Sequence, residues 1–424
     1  MEVNWTGFSK KTPAQRLQML KEKELLQDEH WQLLDSQQTL PLETANQMSE
    51  NVLATLALPY SLVTDFLVDG KSYQVPFVTE EPSVVAAASF AAKIIKRSGG
   101  FETEVHKRQM IGQIALYQVD KADQAIKDVL RKKKELLEQA NQAYPSIVAR
   151  GGGARDLWLE PKDDFLIFYL SVDTQEAMGA NMLNTMLEAL TLSLEELTGG
   201  KSLMAILSNY ATDSLVTARC VIDYRFLSRD KAEAELLADK MQLASKLAQV
   251  DPYRAATHNK GIFNGIDALV LATGNDWRAI EAGAHAYASR EGSYRSLSTW
   301  TADPVTRQLR GQMTLPMPIA TKGGSIGLNP AVAASFDLLG QPQAKDLASL
   351  IVSVGLAQNF AALKALVSTG IQAGHMKLQA KSLALQAGAQ DEEIAAIASR
   401  LTTMKTFNLA TAQEILADLR KQDK

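Results

Sequence analysis

The stretch EEPSVVAAASFAAKIIKRSGG, residues 80–100, constrains the fold more than any other. Pro82 stands where the first turn of a helix tolerates proline, and Gly99–Gly100 closes it. Between them most positions are Ala, Val, Ile or Phe, so the helix is apolar nearly all round. Such a helix is expected to be buried as the central element of a core. The 424 residues are enough for two or more domains, and 46% hydrophobic against 22% charged residues is ordinary globular composition.

Charge and cysteine usage remove several function classes. The 44 basic and 48 acidic residues are intermixed and leave a net charge of −4, so no basic stripe argues for nucleic acid or an anionic membrane. The longest apolar runs read as too short to span a bilayer, and MEVNWTGFSKK lacks the apolar centre of a signal peptide. Cys220 is the lone cysteine, which excludes an intrachain disulfide and a cysteine zinc cluster; no metal site is expected. A cytoplasmic protein is the simplest reading.

Thr12, Pro13 and Gln15 form a capping-box pattern that opens a first helix, and helical stretches are expected to continue through LPLETANQMSENVLATLALP. SLVTDFLVDG and KSYQVPFV read as paired strands turning at Asp69–Gly70. From residue 109, strands IGQIALYQV and LIFYLSVD flank one long charged helix; a helix after residue 176 and strands SLMAILSNY and LVTARCVIDYRFL follow. That alternation predicts a compact α+β insert. Helices return near residue 228, and the last 50 residues form small helices after a TGIQAG joint, as a flap would.

Three places carry candidate chemistry. Glu81, just before Pro82, is either a helix cap or an acid carried inside as a proton donor. EAMGANMLNT brings small residues to a helix entrance, where backbone N–H groups can meet a phosphate, and RGGGARD is a second glycine cluster; the absence of GxGxxG after a first strand excludes a standard Rossmann site. His375 stands at a glycine-flanked helix start, whereas His30 and His106 read as surface residues and His285 as a packed one.

ENVLATLALP (50–59), EEPSVVAAAS (80–89), EAMGANMLNT (176–185), DPYRAATHNKGIFNGIDALVLATGNDWRAIEAGAHAYA (251–288) and VGLAQNFAALKAL with GIQAGHM (354–376) together resemble hydroxymethylglutaryl-CoA reductase in its soluble bacterial class, class II. The resemblance implies an α+β fold. A large helical domain around a buried central helix (1–108 and 217–372) would hold an inserted small non-Rossmann dinucleotide domain (109–216) and a mobile C-terminal flap (373–424). It implies reduction of hydroxymethylglutaryl-CoA to mevalonate and coenzyme A with two NADPH or NADH, or the reverse reaction with NAD in mevalonate degradation. A non-catalytic CoA- or nucleotide-binding protein is the remaining alternative.

Carried over motif by motif, the resemblance makes Glu81, Lys260, Asp276 and His375 catalytic. It assigns Ser83, Arg254, Asn264, Asn209, Glu50 and Asn51 to substrate, and Tyr144, Glu176, Ala177, Met178, Gly179 and Asn181 to the dinucleotide. It also implies a homodimer with the active site at its interface and leaves further assembly open. Lys260 would stabilise charge on the reacting oxygen, with Asp276 as its ionised neighbour. The apolar run IDALVLAT between them is expected to be a buried strand or helix segment that brings both charges to one end of the core. Glu176 stands where the family has Asp, and no aspartate lies near Tyr144 to meet a ribose hydroxyl. Without that carboxylate NADPH is favoured, with Arg150, Arg155 or the lysines at 132–134 as phosphate contacts.

Overall fold

A computed structural model describes residues 4–38, 40–324, 326–368, 371–404 and 406–422; of 371–378 and Gln422 the backbone alone is described. The chain opens with helices α1 (Pro13–Glu22), α2 (Asp28–Asp35) and α3 (Leu42–Met48). The hairpin β1 (Tyr60–Val68) and β2 (Lys71–Val78) leads into α4 (Val84–Lys96) and β3 (Phe101–Val105). Next come β4 (Gln109–Tyr117), α5 (Ala122–Arg131), α6 (Lys133–Ala143), α7 (Pro145–Val148), β5 (Gly153–Lys162), β6 (Phe165–Asp173), α8 (Ala180–Thr198) and β7 (Lys201–Ser208). The chain continues through β8 (Leu215–Asp223), α9 (Lys231–Val250), α10 (Pro252–Ala272), α11 (Trp277–Ala288), β9 (Ser298–Asp303) and β10 (Gln308–Pro316). It ends with α12 (Pro330–Leu339), α13 (Ala344–Val367), α14 (Ile371–Gln386), α15 (Glu392–Leu401) and α16 (Leu409–Gln422).

Two sheets organise these elements, in the α+β class. A six-stranded sheet runs β2-β1-β3-β8-β10-β9, and a four-stranded antiparallel sheet runs β5-β6-β4-β7. The first packs into one large core with α4, α9, α10 and α13. The second packs against α5, α6 and α8 in a separate core. Helices α14 to α16 hold a third, small core built on Ala380, Ile397 and Leu401.

Local signals set several boundaries as read. Thr12 and Gln15 exchange both capping-box hydrogen bonds, with Pro13 at the first helical position. The hairpin turns at Asp69 and Gly70, both with positive φ. Other expectations change. Residues after Met48 leave the helix and run irregular to Pro59, exposing Leu53 (93%) and Leu56 (91%). The charged helix breaks at Lys132 into α5 and α6. The RGGGARD cluster enters strand β5, and β9 and β10 form where none was read. Strand β8, grouped with the insert in the sequence, pairs instead with β3 and β10 in the larger sheet. His30 is no surface residue either, because its ring is hydrogen-bonded to the Asp337 carboxylate at 2.5 Å and largely covered.

The central helix is α13, not the 82–97 helix. Every residue of α13 from Leu347 to Ala361 is buried, whereas α4 leaves Ala86, Phe90 and Lys93 exposed. By length and composition α13 could cross a bilayer, contrary to the reading of short apolar runs, yet it lies inside the protein against α4, α9, α10 and strands of the large sheet. Its approach to α10 is close at Gly265, where a Cβ would sit 3.0 Å from Val354 and 3.2 Å from Gln358.

A branched side chain there forces the two helices apart. Gly265→Val is therefore expected to destabilise the protein by about 1–3 kcal/mol, the usual cost of overpacking. Urea unfolding followed by circular dichroism measures it, and an unchanged midpoint would contradict the close packing.

Candidate active site

A cleft of about 590 Å³ opens where the start of α4, one face of α10 and the second half of α13 meet. Arg254, Thr257, His258, Gly261 and Asn264 reach it from α10 at helical spacing. Helix α4 and the turn before it supply Glu81, Ser83, Ala87 and Phe90, and α13 supplies Gln358, Asn359 and Lys364. Lys260 also lines the cleft, its Nζ 3.8 Å from Glu81 Oε1. Both side chains are substantially open in the single chain, at 63% and 41% exposed, so Glu81 stands at the rim and not in the interior. The helix begins two residues after Pro82, and Ser83 at its N-cap has φ of +75°.

Unmet hydrogen bonds concentrate in this cleft. Among the described residues, five buried side-chain atoms have no protein partner: Ser83 Oγ, Tyr224 OH, His258 Nδ1, Asp267 Oδ1 and Gln358 Oε1. Three of them, on Ser83, His258 and Gln358, belong to cleft residues. Buried polar groups rarely go unsatisfied, so the convergence marks a place where ligand or water completes them.

His258 shows how that wall is wired. Trp300 Nε1 donates to Asn359 Oδ1 at 2.8 Å, which fixes the orientation of the amide. The Asn359 amide nitrogen then faces His258 Nε2 at 3.0 Å, and Ser298 Oγ lies 2.7 Å from the same ring nitrogen, so Nε2 is held within the protein while Nδ1 is left without a partner. Burial, with Arg254 adding to it, pushes the imidazole down to about 3, and the ring is neutral at physiological pH. Desolvation also lowers the guanidinium of Arg254, which has no acidic partner among the described residues and suits an anionic ligand.

Asp276 is not in this cleft. IDALVLAT is helical, and the rise from Lys260 to the end of α10 is about 18 Å. The run therefore carries the two charges to opposite ends, not to the same end. At its own end Asp276 caps α11, accepting from the N–H groups of Arg278 and Ala279, and pairs with Arg278 at 3.2 Å. Asn209 lies on that side, its carbonyl crowding Gly283 of α11. Glu50 and Asn51 are exposed in the irregular segment after α3. The backbone of His375 is in α14, and its side chain lies outside the described residues.

The glycine loop precedes α8, a 19-residue helix whose N-cap Gly179 has φ of +91° and provides no side-chain cap. A Cβ there would meet Thr174 at 2.4 Å, so the position requires glycine. The first N–H groups of α8, including that of Asn181, thus stay available to an anion beside Ala177 and Met178. Tyr144 marks the junction of α6 and α7. Nearby cations are mostly spoken for: Lys132 pairs with Glu135, Lys133 with Asp156 and Arg155 with Asp173. Arg150 bonds Ser146, a neutral partner.

The sequence reading passed over Gln358 and gave His258 no role. The signal for Gln358 was present, because adjacent amides in the otherwise apolar run VGLAQNFAAL are costly to bury without a task.

Comparison with known proteins identifies the family. Residues 12–380 match the family model for hydroxymethylglutaryl-coenzyme A reductase. The 3-hydroxy-3-methylglutaryl-coenzyme A reductase of Archaeoglobus fulgidus is 43% identical over 98% of this chain and 94% of its own. A probable reductase of the same name from Borreliella burgdorferi is 36% identical over 79% of this chain and 77% of its own. A solved reductase from Streptococcus pneumoniae is 65% identical and superposes with a TM-score of 0.86 over 98% of this chain and all of that one. A second structure from that organism, a class II enzyme bound to NADPH in open conformations, is also 65% identical, with a TM-score of 0.85 over 86% of this chain and all of its own. By sequence and superposition alike, the chain belongs to the class II branch of the hydroxymethylglutaryl-coenzyme A reductase family.

Proposed function

We propose that this chain reduces hydroxymethylglutaryl-CoA to mevalonate and coenzyme A with NADPH, as a cytoplasmic homodimer. The Lys260–Glu81 pair at 3.8 Å, in a cleft with three unpartnered polar atoms, carries the reading. Residues 109–216 serve as the dinucleotide domain, where the uncapped start of α8 suits a pyrophosphate and Ala177, Met178, Gly179 and Asn181 form the approach. NADPH bound there would supply the hydride for the thioester carbonyl and, after exchange, for the aldehyde.

In this reading the protein's own groups manage charge and protons. Arg254 holds the substrate carboxylate, and Ser83 and Asn264 orient the hydroxymethylglutaryl portion. The Lys260 ammonium stabilises the oxygen that gains charge at each hydride attack. Glu81 donates the proton that completes the alcohol. His375, carried on α14, protonates the departing thiolate, and residues 373–424 close over the cleft to exclude water between steps.

The length of α10 gives the dimer its chemical purpose. Asp276 of one chain cannot reach Lys260 of the same chain. A two-fold axis that sets α10 antiparallel to its copy brings Lys260 to Asp276 of the partner subunit, an isologous contact. Asn264, Asp267 and Leu271 continue the face of α10 on which Lys260 lies and would line that contact.

Lys260→Ala should lower turnover in both reductions by about 10²–10³. Mixing Lys260→Ala chains with Asp276→Asn chains tests the shared site. Exchanged subunits form one intact site in each mixed dimer and restore up to about a quarter of wild-type activity. No recovery after verified exchange would place both residues in one chain's site. His375→Ala is expected to impair thioester reduction and spare reduction of the free aldehyde, and equal losses would contradict its role toward the thiolate. Arg150→Ala should lower kcat/KM for NADPH about tenfold while leaving NADH nearly unchanged, as expected for a lost phosphate contact.

A further inference from the structure

The loop that opens α8 is fastened at both edges. Glu176 Oε2 accepts from Thr321 Oγ1 at 2.5 Å and from the N–H of Ala344, the first residue of α13, at 2.8 Å. Its backbone carbonyl accepts from Thr321 N–H at 3.0 Å. Arg108 grips the other edge, donating to the carbonyls of Gln175 and Ala177 and, across the gap, to that of Ile319 at 2.6 Å. The segment held by both residues is tied in turn to the end of α10. Asn275 Oδ1 accepts from Ala320 N–H at 2.7 Å, and Asn275 Nδ2 donates to Ala320 O at 3.0 Å. Asn275 immediately precedes Asp276.

We propose that Glu176 is a positioning residue that does not itself touch the dinucleotide: with Arg108 it clasps the 174–179 loop to Thr321 and to the start of α13, and so fixes that loop relative to Asp276. Both acceptances seen in the structure fall on one carboxylate oxygen, which satisfies a helix-start N–H that has no partner within the helix, where negative charge is favoured. An aspartate at this position is one methylene shorter and cannot span the same gap without moving the loop. The clasp thus explains why a longer acid stands here. It also joins the cofactor approach to the central helix, whose far half supplies Gln358 and Asn359 to the cleft.

This inference rests on the loop binding NADPH, and the test separates the two ideas. Dissociation constants for NADPH are measured by cofactor fluorescence on the full-length protein, with steady-state KM for each substrate alongside. Thr321→Val keeps Glu176 and its charge in place, and Glu176→Gln keeps an oxygen that accepts both bonds. The clasp predicts about tenfold weaker NADPH binding for Thr321→Val and Glu176→Ala, as for loss of one charge-assisted hydrogen bond. Glu176→Gln should stay within about twofold, since a neutral acceptor still serves both donors. NADH should suffer in the same proportion as NADPH, and KM for hydroxymethylglutaryl-CoA should not move. A silent Thr321→Val with a damaged Glu176→Gln would mean that the carboxylate meets the cofactor directly, and the clasp would be overturned. A wild-type protein that binds no NADPH would overturn the cofactor reading and the clasp with it.

Discussion

Helix α13 has to be enclosed on every side, and much of the architecture follows from that requirement. Fifteen consecutive residues, from Leu347 to Ala361, are hidden from solvent, so neighbours must press against all faces of one cylinder. Helices α4, α9 and α10 and strands of the six-stranded sheet do so. Small residues permit the closeness: a side chain at Gly355 would run into Ile266 and Met313 at 2.8 Å. Because the helix is held so firmly, both of its ends can serve as fixed reference points. One end receives the carboxylate of Glu176, and the other presents Gln358, Asn359 and Lys364 to the cleft.

The same rigidity divides the chemistry between two places. Lys260 and Glu81 meet at the cleft because α10 and the turn before α4 border the same end of α13. Asp276, Asn209 and the glycine loop gather at the opposite end of α10, linked through Asn275 and the segment at 317–322. A helix cannot be shortened to bring such groups together. Within one chain the cleft and the glycine loop are therefore separate assemblies.

How much of this was legible in the sequence depended on the range of the interaction. The capping box at Thr12 and the turn at Asp69–Gly70 involve residues within a few positions of each other, and both stand where they were read. Glu81, Ser83, Arg254, Lys260 and Asn264, assigned by motif, share one cleft. The separation of Lys260 from Asp276 was misread because IDALVLAT is short and apolar, a pattern that suits a strand or a helix equally. The helix at 82–97 looked central for a related reason. Alanine and valine satisfy either full burial or one wet face, and the exposed Phe90 shows that α4 has the latter. Gln358 was visible as an amide in an apolar run, but its unpartnered oxygen is a fact about neighbours.

By itself the sequence determined the family, the α+β class and the caps and turns that bound many elements. All of these are carried by residue identity and by contacts close along the chain. Tertiary structure alone decided which helix lies at the centre, how far apart Lys260 and Asp276 fall, and what the carboxylate of Glu176 holds. Those outcomes depend on pairs such as Glu81 with Lys260 and Glu176 with Ala344, far apart in the chain. Hydrophobic burial is non-directional and only requires that apolar surface be covered, so the pattern that drives collapse does not name the neighbours it will bring together.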